Sequence, residues 1–158
     1  MSETAETIKN TASELLGKMG VEPDEVKIEE DDEGNFKVVI DAEEDSGVLI
    51  GYHGGNLNSL QRILSLICYK DFGEWRRVIV DVSGYRDERR ARLEELAENA
   101  AKRVRFLQDP VTLPPMSSFE RRIVHMKVSE TPGVWTESTG EGRERMVVIR
   151  PGEKEQKS

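Results

Sequence analysis

The chain has 158 residues, a net charge of -8 and a mean hydropathy of -0.60, so it can build one ordinary domain or two very small ones. No apolar run approaches the roughly 20 residues of a membrane span, and the acidic start Ser2-Glu3-Thr4-Ala5-Glu6 is not a secretory leader, so a cytoplasmic protein is expected. One cysteine, Cys68, excludes an internal disulfide and a cysteine-cluster metal site.

The charge is unevenly spread. Residues 1–48 carry 15 acids against 4 bases, and residues 49–158 carry 19 bases against 16 acids. The first segment, Thr4 to Met19, places Ile8, Ala12, Leu15, Leu16 and Met19 at helical spacing, with Gly20 suited to its C-terminal end. Val26 and Ile28, then Phe36, Val38 and Ile40, alternate as two strands of a hairpin. Its tip, 29–35, is strongly acidic and reads as a solvated turn rather than a metal site or a nucleic-acid mimic. Asp41 to Asp45 forms an acidic linker, and Ser46 to Ile50 forms a short helix.

Next comes Gly51-Tyr52-His53-Gly54, followed directly by a helix with the stripe Leu57, Leu60, Leu64, Ile67 and Cys68. Two glycines at this spacing let the backbone turn with positive φ and come close to another chain. A helix N-terminus behind the turn offers free N–H groups and a positive dipole end, both favourable to phosphate. The segment therefore reads as a clamp for a nucleic-acid backbone. The competing reading is a tight helix-entry turn without a ligand. Gly73 ends the helix, and Arg77 to Val82 forms a third strand. A three-stranded sheet backed by helices would bury all these stripes.

Gly84-Tyr85 marks a boundary. A helix from Arg86 to Leu107 follows, with Leu93, Leu96, Ala97, Ala100, Val104 and Leu107 inward and many arginines interleaved with acids outside. Val111 to Leu113 forms a short strand. Ser117 and Glu120 make a capping-box pattern for a helix at 118–128, on which Phe119, Ile123 and Met126 share a face. Val134 to Ser138 and Arg145 to Ile149 form a hairpin around Gly140-Glu141-Gly142. Residues 152–158 have the composition of a disordered tail.

On the helix 118–128, Arg121 and His125 are one turn apart on one face. Arginine matches phosphate with a fixed fork of donors, and a histidine ring donates a hydrogen bond or stacks on a base. Lys127, Arg143 and Arg145 would extend this patch. The alternative is a satisfied, half-buried His125, with Arg121 paired to Glu120 or Glu141.

The motifs together resemble the bacterial Jag (KhpB) family, a KH domain followed by an Arg-xxx-His domain. They are Ile50-Gly51-Tyr52-His53-Gly54 with Leu57-Asn58-Ser59-Leu60-Gln61, Tyr85-Arg86-Asp87-Glu88-Arg89-Arg90, Leu113-Pro114-Pro115-Met116, Glu120-Arg121-Arg122-Ile123-Val124-His125, and Thr136-Glu137-Ser138-Thr139-Gly140-Glu141. The resemblance implies an α+β protein of two small domains: a KH domain over 1–83 with its N-terminal helix, and an Arg-xxx-His domain with a small sheet over 84–151. It implies binding of single-stranded RNA, or single-stranded DNA, in post-transcriptional regulation, and pairing with a separate single-KH protein. The site residues would be Ile50, Gly51, Tyr52, His53, Gly54 and Leu57 in the first domain, and Arg121, His125 and Lys127 in the second. Ile50, Leu57 and the strand 36–41 would floor a groove for about four bases. No enzymatic activity, cofactor or metal is expected. The rival readings are a protein-interaction scaffold in cell division or envelope growth, and a phosphodiester-cleaving enzyme using Arg121 and His125. KH loops often carry a basic pair where this chain has Tyr52 and His53. The clamp would then draw on backbone N–H groups, stacking and a partly protonated His53. Many family members also carry an extra N-terminal domain, whereas this chain begins almost directly at the first KH helix.

Overall fold

The computed structural model describes residues 2–154, which form two compact units, one ending at Arg86 and the next beginning at Asp87. The fold is α+β.

In the first unit, helix α1 (Glu3–Lys18) starts where the Ser2 hydroxyl accepts the Ala5 N–H, with Glu3 and Glu6 favourably placed at the dipole's positive end. It buries Ala5, Ile8, Ala12 and Leu16. Met19, expected on that stripe, is the capping residue and is 46% exposed, because the helix stops one residue earlier and Gly20 turns away with φ +75°. Strands β1 (Glu25–Glu30) and β2 (Phe36–Asp41) pair antiparallel from Glu25 opposite Asp41 to Glu30 opposite Phe36. The Asp31 carboxylate organises the acidic tip by accepting the Glu33 and Asn35 backbone N–H groups and the Asn35 side chain.

Helix α2 (Ser46–Ile50) leads through a 3-10 turn at Tyr52–Gly54 into α3 (Gly55–Phe72). The third strand, β3 (Val78–Val82), runs parallel to β2, giving the order β1-β2-β3. Phe36, Val38 and Ile40 of β2 meet Val78, Val80 and Val82 of β3 in one core with the apolar faces of α1 and α3. Cys68 lies in this core at 3% exposure, and burial pushes its thiol pKa up, so it acts as a small apolar side chain.

Helix α4 (Tyr85–Leu107) spans the junction between the units, just beyond the boundary expected at Gly84. In the second unit it buries Leu93, Ala97, Ala100, Ala101 and Val104. Leu96 and Leu107, expected on that face, are 39% and 50% exposed. The buried arc is turned toward Ala101 and leaves them at its edge. Strand β4 (Val111–Thr112) pairs with β6 (Met146–Pro151), and β6 pairs with β5 (Val134–Thr139), giving an antiparallel sheet ordered β4-β6-β5. Helix α5 (Ser118–Val128) begins with the capping box read from Ser117 and Glu120, and both of its reciprocal hydrogen bonds form. Its buried row is Glu120, Ile123, Val124 and Val128. Of the face expected from Phe119, Ile123 and Met126, only Ile123 points inward. Gly152, placed in the tail by its composition, donates to the Gly133 carbonyl at 2.9 Å, while 155–158 lie outside the described residues. Among the described residues, no helix is long and apolar enough to cross a membrane.

Candidate nucleic-acid interface

The loop 51–54 is shaped by three residues with positive φ. Gly51 has φ 67° and ψ -171°, a region essentially reserved for glycine. His53 (φ 51°, ψ 32°) and Gly54 (φ 77°, ψ 14°) are both left-handed. The turn is also tight. A Cβ on Gly51 would lie 2.5 Å from Asn56 Cγ, and the Asn56 amide donates to the Val48 carbonyl at 2.7 Å. A Cβ on Gly54 would lie 3.2 Å from Tyr85 Cε1. Both glycines are therefore required by space as well as by conformation.

This geometry leaves α3 with an open N-terminus. The Gly55 N–H folds back to the Tyr52 carbonyl, and among the described residues no side chain caps the helix. The first-turn N–H groups and the dipole of an 18-residue helix thus face the loop, an arrangement suited to an anion. Tyr52 is 82% exposed, and its ring stacks on His53 with centroids 4.0 Å apart and planes 18° apart. A flat aromatic surface therefore sits beside the anion site. Val48, at 61% exposure, adds apolar surface at the end of α2, and Ile50 is half-buried against the core.

The expected groove floor needs correction. Leu57 is fully buried, and Phe36, Val38 and Ile40 are at most 1% exposed. These side chains hold α3 to the sheet and offer no surface to a ligand. The residues that brace the loop were not among the candidates. Asn56 and Tyr85 pack on the two glycines. Behind them Arg86 donates Nε to the Val80 carbonyl at 2.8 Å and Nη2 to Gln61 Oε1 at 3.0 Å, and Gln61 Oε1 also accepts the Val80 N–H. The buried Asp81 carboxylate accepts the N–H groups of Val82 and Arg86. Burial lowers the Arg86 guanidinium pKa, and Asp81 opposes that shift. The available signal was the matched motif itself, which contains Asn58, Gln61, Tyr85 and Arg86 and which periodicity alone does not explain.

In the second unit, Arg121 and His125 do share one face of α5, but both are engaged inward. Arg121 Nη1 donates to the Met116 carbonyl at 2.8 Å, holding the loop before the helix. The His125 ring nitrogens are hydrogen-bonded to two hydroxyls of β5, Nδ1 with Thr136 at 2.5 Å and Nε2 with Ser138 at 2.9 Å. Burial, with smaller contributions from Arg121 and Lys154, lowers the His125 pKa, so the ring is held neutral. The satisfied, half-buried histidine is the arrangement found. Glu120 does not pair with Arg121. It is 5% exposed and accepts from Arg89 at 2.8 Å.

Lys127 does not extend the Arg121–His125 patch. At 100° per residue it points about 160° away from His125, and it pairs with Glu130 at 3.0 Å and Glu98 at 4.0 Å. Arg145 is engaged with the Gly140 carbonyl, and Arg143 is exposed. Among the described residues, no cluster of acids, histidines and cysteines could hold a metal ion.

Comparison with known proteins matches both halves of the chain. The KH domain of KhpA/KhpB matches residues 9–82, and the Arg-xxx-His domain matches residues 91–151. Three curated relatives are named RNA-binding protein KhpB. The relative from Clostridium symbiosum is 41% identical over 106 residues, covering 67% of this chain and 48% of the relative. The relative from Bacillus subtilis is 35% identical over 108 residues, covering 67% and 52%. The relative from Streptococcus pneumoniae is 29% identical over 152 residues, covering 93% and 46%. The chain thus spans about half the length of these curated relatives.

Proposed function

Since the chain belongs to the Jag (KhpB) family, with its KH domain followed by an Arg-xxx-His domain, we propose that it binds single-stranded RNA, with the loop 51–54 holding the sugar–phosphate backbone. The observation that carries this reading is the open N-terminus of α3 behind two sterically required glycines, with the exposed Tyr52 ring beside it. Backbone N–H groups would bind phosphate and the Tyr52–His53 stack would meet a base. No feature of the loop reads base edges, so binding is sequence-tolerant. The Arg-xxx-His unit would add a second weak contact, and two linked contacts gain from effective concentration.

The test is titration of labelled single-stranded RNA with the chain and with a Tyr52→Asp/His53→Asp variant. Tight binding by the parent and loss in a folded variant support the clamp. Equal affinity for both removes it. Log affinity should fall with log salt by about 0.7 per phosphate contact.

This reading makes the protein a cytoplasmic binding module rather than an enzyme. Neither nitrogen of His125 is open to act as a general acid or base while Thr136 and Ser138 hold both. Incubation with labelled RNA should leave the strand intact, and cleavage would sink the assignment. The outer side of α3 favours a second reading, docking of a separate single-KH protein. There Ile63 and Leu66 are 48% and 50% exposed, near the stacked rings of Tyr69 and Trp75. Co-purification that survives ribonuclease would support this contact, and loss on ribonuclease treatment would make it RNA-borne.

A further inference from the structure

The two arginine-rich helices of the second unit manage their charge differently. On α4 exposed bases are answered one turn away: Arg90 by Glu94, Arg92 by Glu88 and Lys102 by Glu98. The carboxylate of α5, Glu120, is buried and committed to Arg89 and the helix cap. The outward half of α5 carries Ser118, Phe119, Arg121, Arg122, His125 and Met126, with no acid among them. Among the described residues, Arg122 has neither an ion-pair nor a hydrogen-bond partner.

Phe119, Arg122 and Met126 are spaced i, i+3 and i+7, so they form one row opposite the buried face. Phe119 is 67% exposed and Met126 59%. A row of exposed aromatic, guanidinium and thioether groups with no carboxylate is unexpected in a chain of net charge -8. Its charge complements a polyanion, and its aromatic ring suits an unpaired base. Cβ atoms three residues apart on a helix are about 5–6 Å from each other, within the reach of one nucleotide.

We propose that this ridge is the strand-contacting surface of the second unit, with Phe119 stacking on a base and Arg122 meeting the adjacent phosphate of single-stranded nucleic acid. The inference rests on the proposed single-strand binding and moves the contact from Arg121 and His125 to the neighbouring row. Arg121 and His125 become positioning residues that seat α5 against the Met116 loop and β5.

The test measures binding of a labelled single-stranded oligonucleotide by the full chain and by Phe119→Ala, Phe119→Tyr and Arg122→Gln variants, with Tyr52→Asp/His53→Asp alongside. Both ridge residues are exposed, so the variants should keep the parental melting temperature. Phe119→Ala should weaken binding by about five- to a hundredfold, as expected for one lost base–aromatic stack, and Phe119→Tyr should restore it. Arg122→Gln should lower the salt slope by about 0.7, one phosphate contact. Parental affinity and slope in both Phe119→Ala and Arg122→Gln, while the loop variant still loses binding, would overturn the ridge and leave the clamp standing. Unchanged affinity with altered sedimentation would reassign the ridge to self-association and also overturn the proposal. A parent chain that binds no strand overturns both readings.

Discussion

The loop at 51–54 and the face of α5 that carries Arg121 and His125 belong to different units and offer a ligand opposite resources. The loop holds little fixed side-chain charge, but it leaves the N–H groups at the start of α3 open behind Gly51 and Gly54. The α5 face has a guanidinium and an imidazole, yet the Met116 carbonyl and the hydroxyls of Thr136 and Ser138 engage them. Residues that characterise a motif can therefore build the frame, while a neighbouring surface meets the ligand. The glycines work by what they leave out. Arg121 and His125 work by what they hold in place.

The largest effect should come from charge at the loop. Tyr52→Asp/His53→Asp places two carboxylates against any bound phosphate, each costing about 1–4 kcal/mol at contact distance. A loss of at least about tenfold in single-strand affinity is expected, with the melting temperature retained. His125→Ala should change the affinity of folded protein far less. If the two exchange places in a binding titration, the comparison is inverted and the second unit is the principal site.

Next is Gly51→Ala. Its φ of 67° with ψ of -171° and the 2.5 Å approach to Asn56 should together cost about 1–3 kcal/mol of stability in the first unit. Part of that cost is steric, so Gly51→Ala in an Asn56→Ala background should cost less than in the parent. A double-mutant cycle on denaturant unfolding measures the coupling. Strict additivity would mean that conformation alone explains the glycine, with no part played by the packed Asn56 side chain.

His125→Ala follows, at about 1–2 kcal/mol in the second unit, because two partly buried hydroxyls lose their partner. Thermal unfolding read through Trp135 on β5 reports it. No loss of stability would return His125 to the set of open ligand groups.

These contrasts also mark what the sequence could carry. The alternation of Phe36, Val38 and Ile40 and the Ser117–Glu120 capping pattern depend on local periodicity and local hydrogen bonds, so both were legible. The position of the loop was legible from its glycines. Its bracing was not, because Asn56 reaches back eight residues to Val48 and Arg86 reaches Gln61 across 25 residues. Burial at stripe edges was misread for the same reason. Leu96, Phe119 and Met126 satisfy an apolar spacing, but which arc of a helix is covered depends on what packs against it. Leu57 was read as a contact residue because it follows the loop at once, yet the first inward turn of α3 sends it into the core. Lys127 lies close to His125 in sequence and on the far flank of the helix, facing Glu98 and Glu130.

The smallest effect is a pH dependence that separates a held ring from an open one. Burial, with Arg121 and Lys154, lowers the His125 pKa from its ordinary 6.5 in the folded protein. The unfolded chain therefore takes up a proton near pH 6.5, and the folded chain does so only at lower pH. Between those two points the unfolded state binds more protons, so stability falls as pH falls. The contribution is fully present above about pH 6.5 and is lost progressively below it, until the folded ring is protonated too. The loss should be smaller than that caused by removing the ring. His125→Gln keeps a side chain able to meet the two hydroxyls and does not titrate, so the parent-minus-variant difference in unfolding free energy isolates this ring and cancels the contribution of His53. That difference should shrink between pH 7.5 and 5.5. If it grows on acidification, His125 gains an anionic partner when charged, and the inward-facing role assigned to it from Thr136 and Ser138 fails.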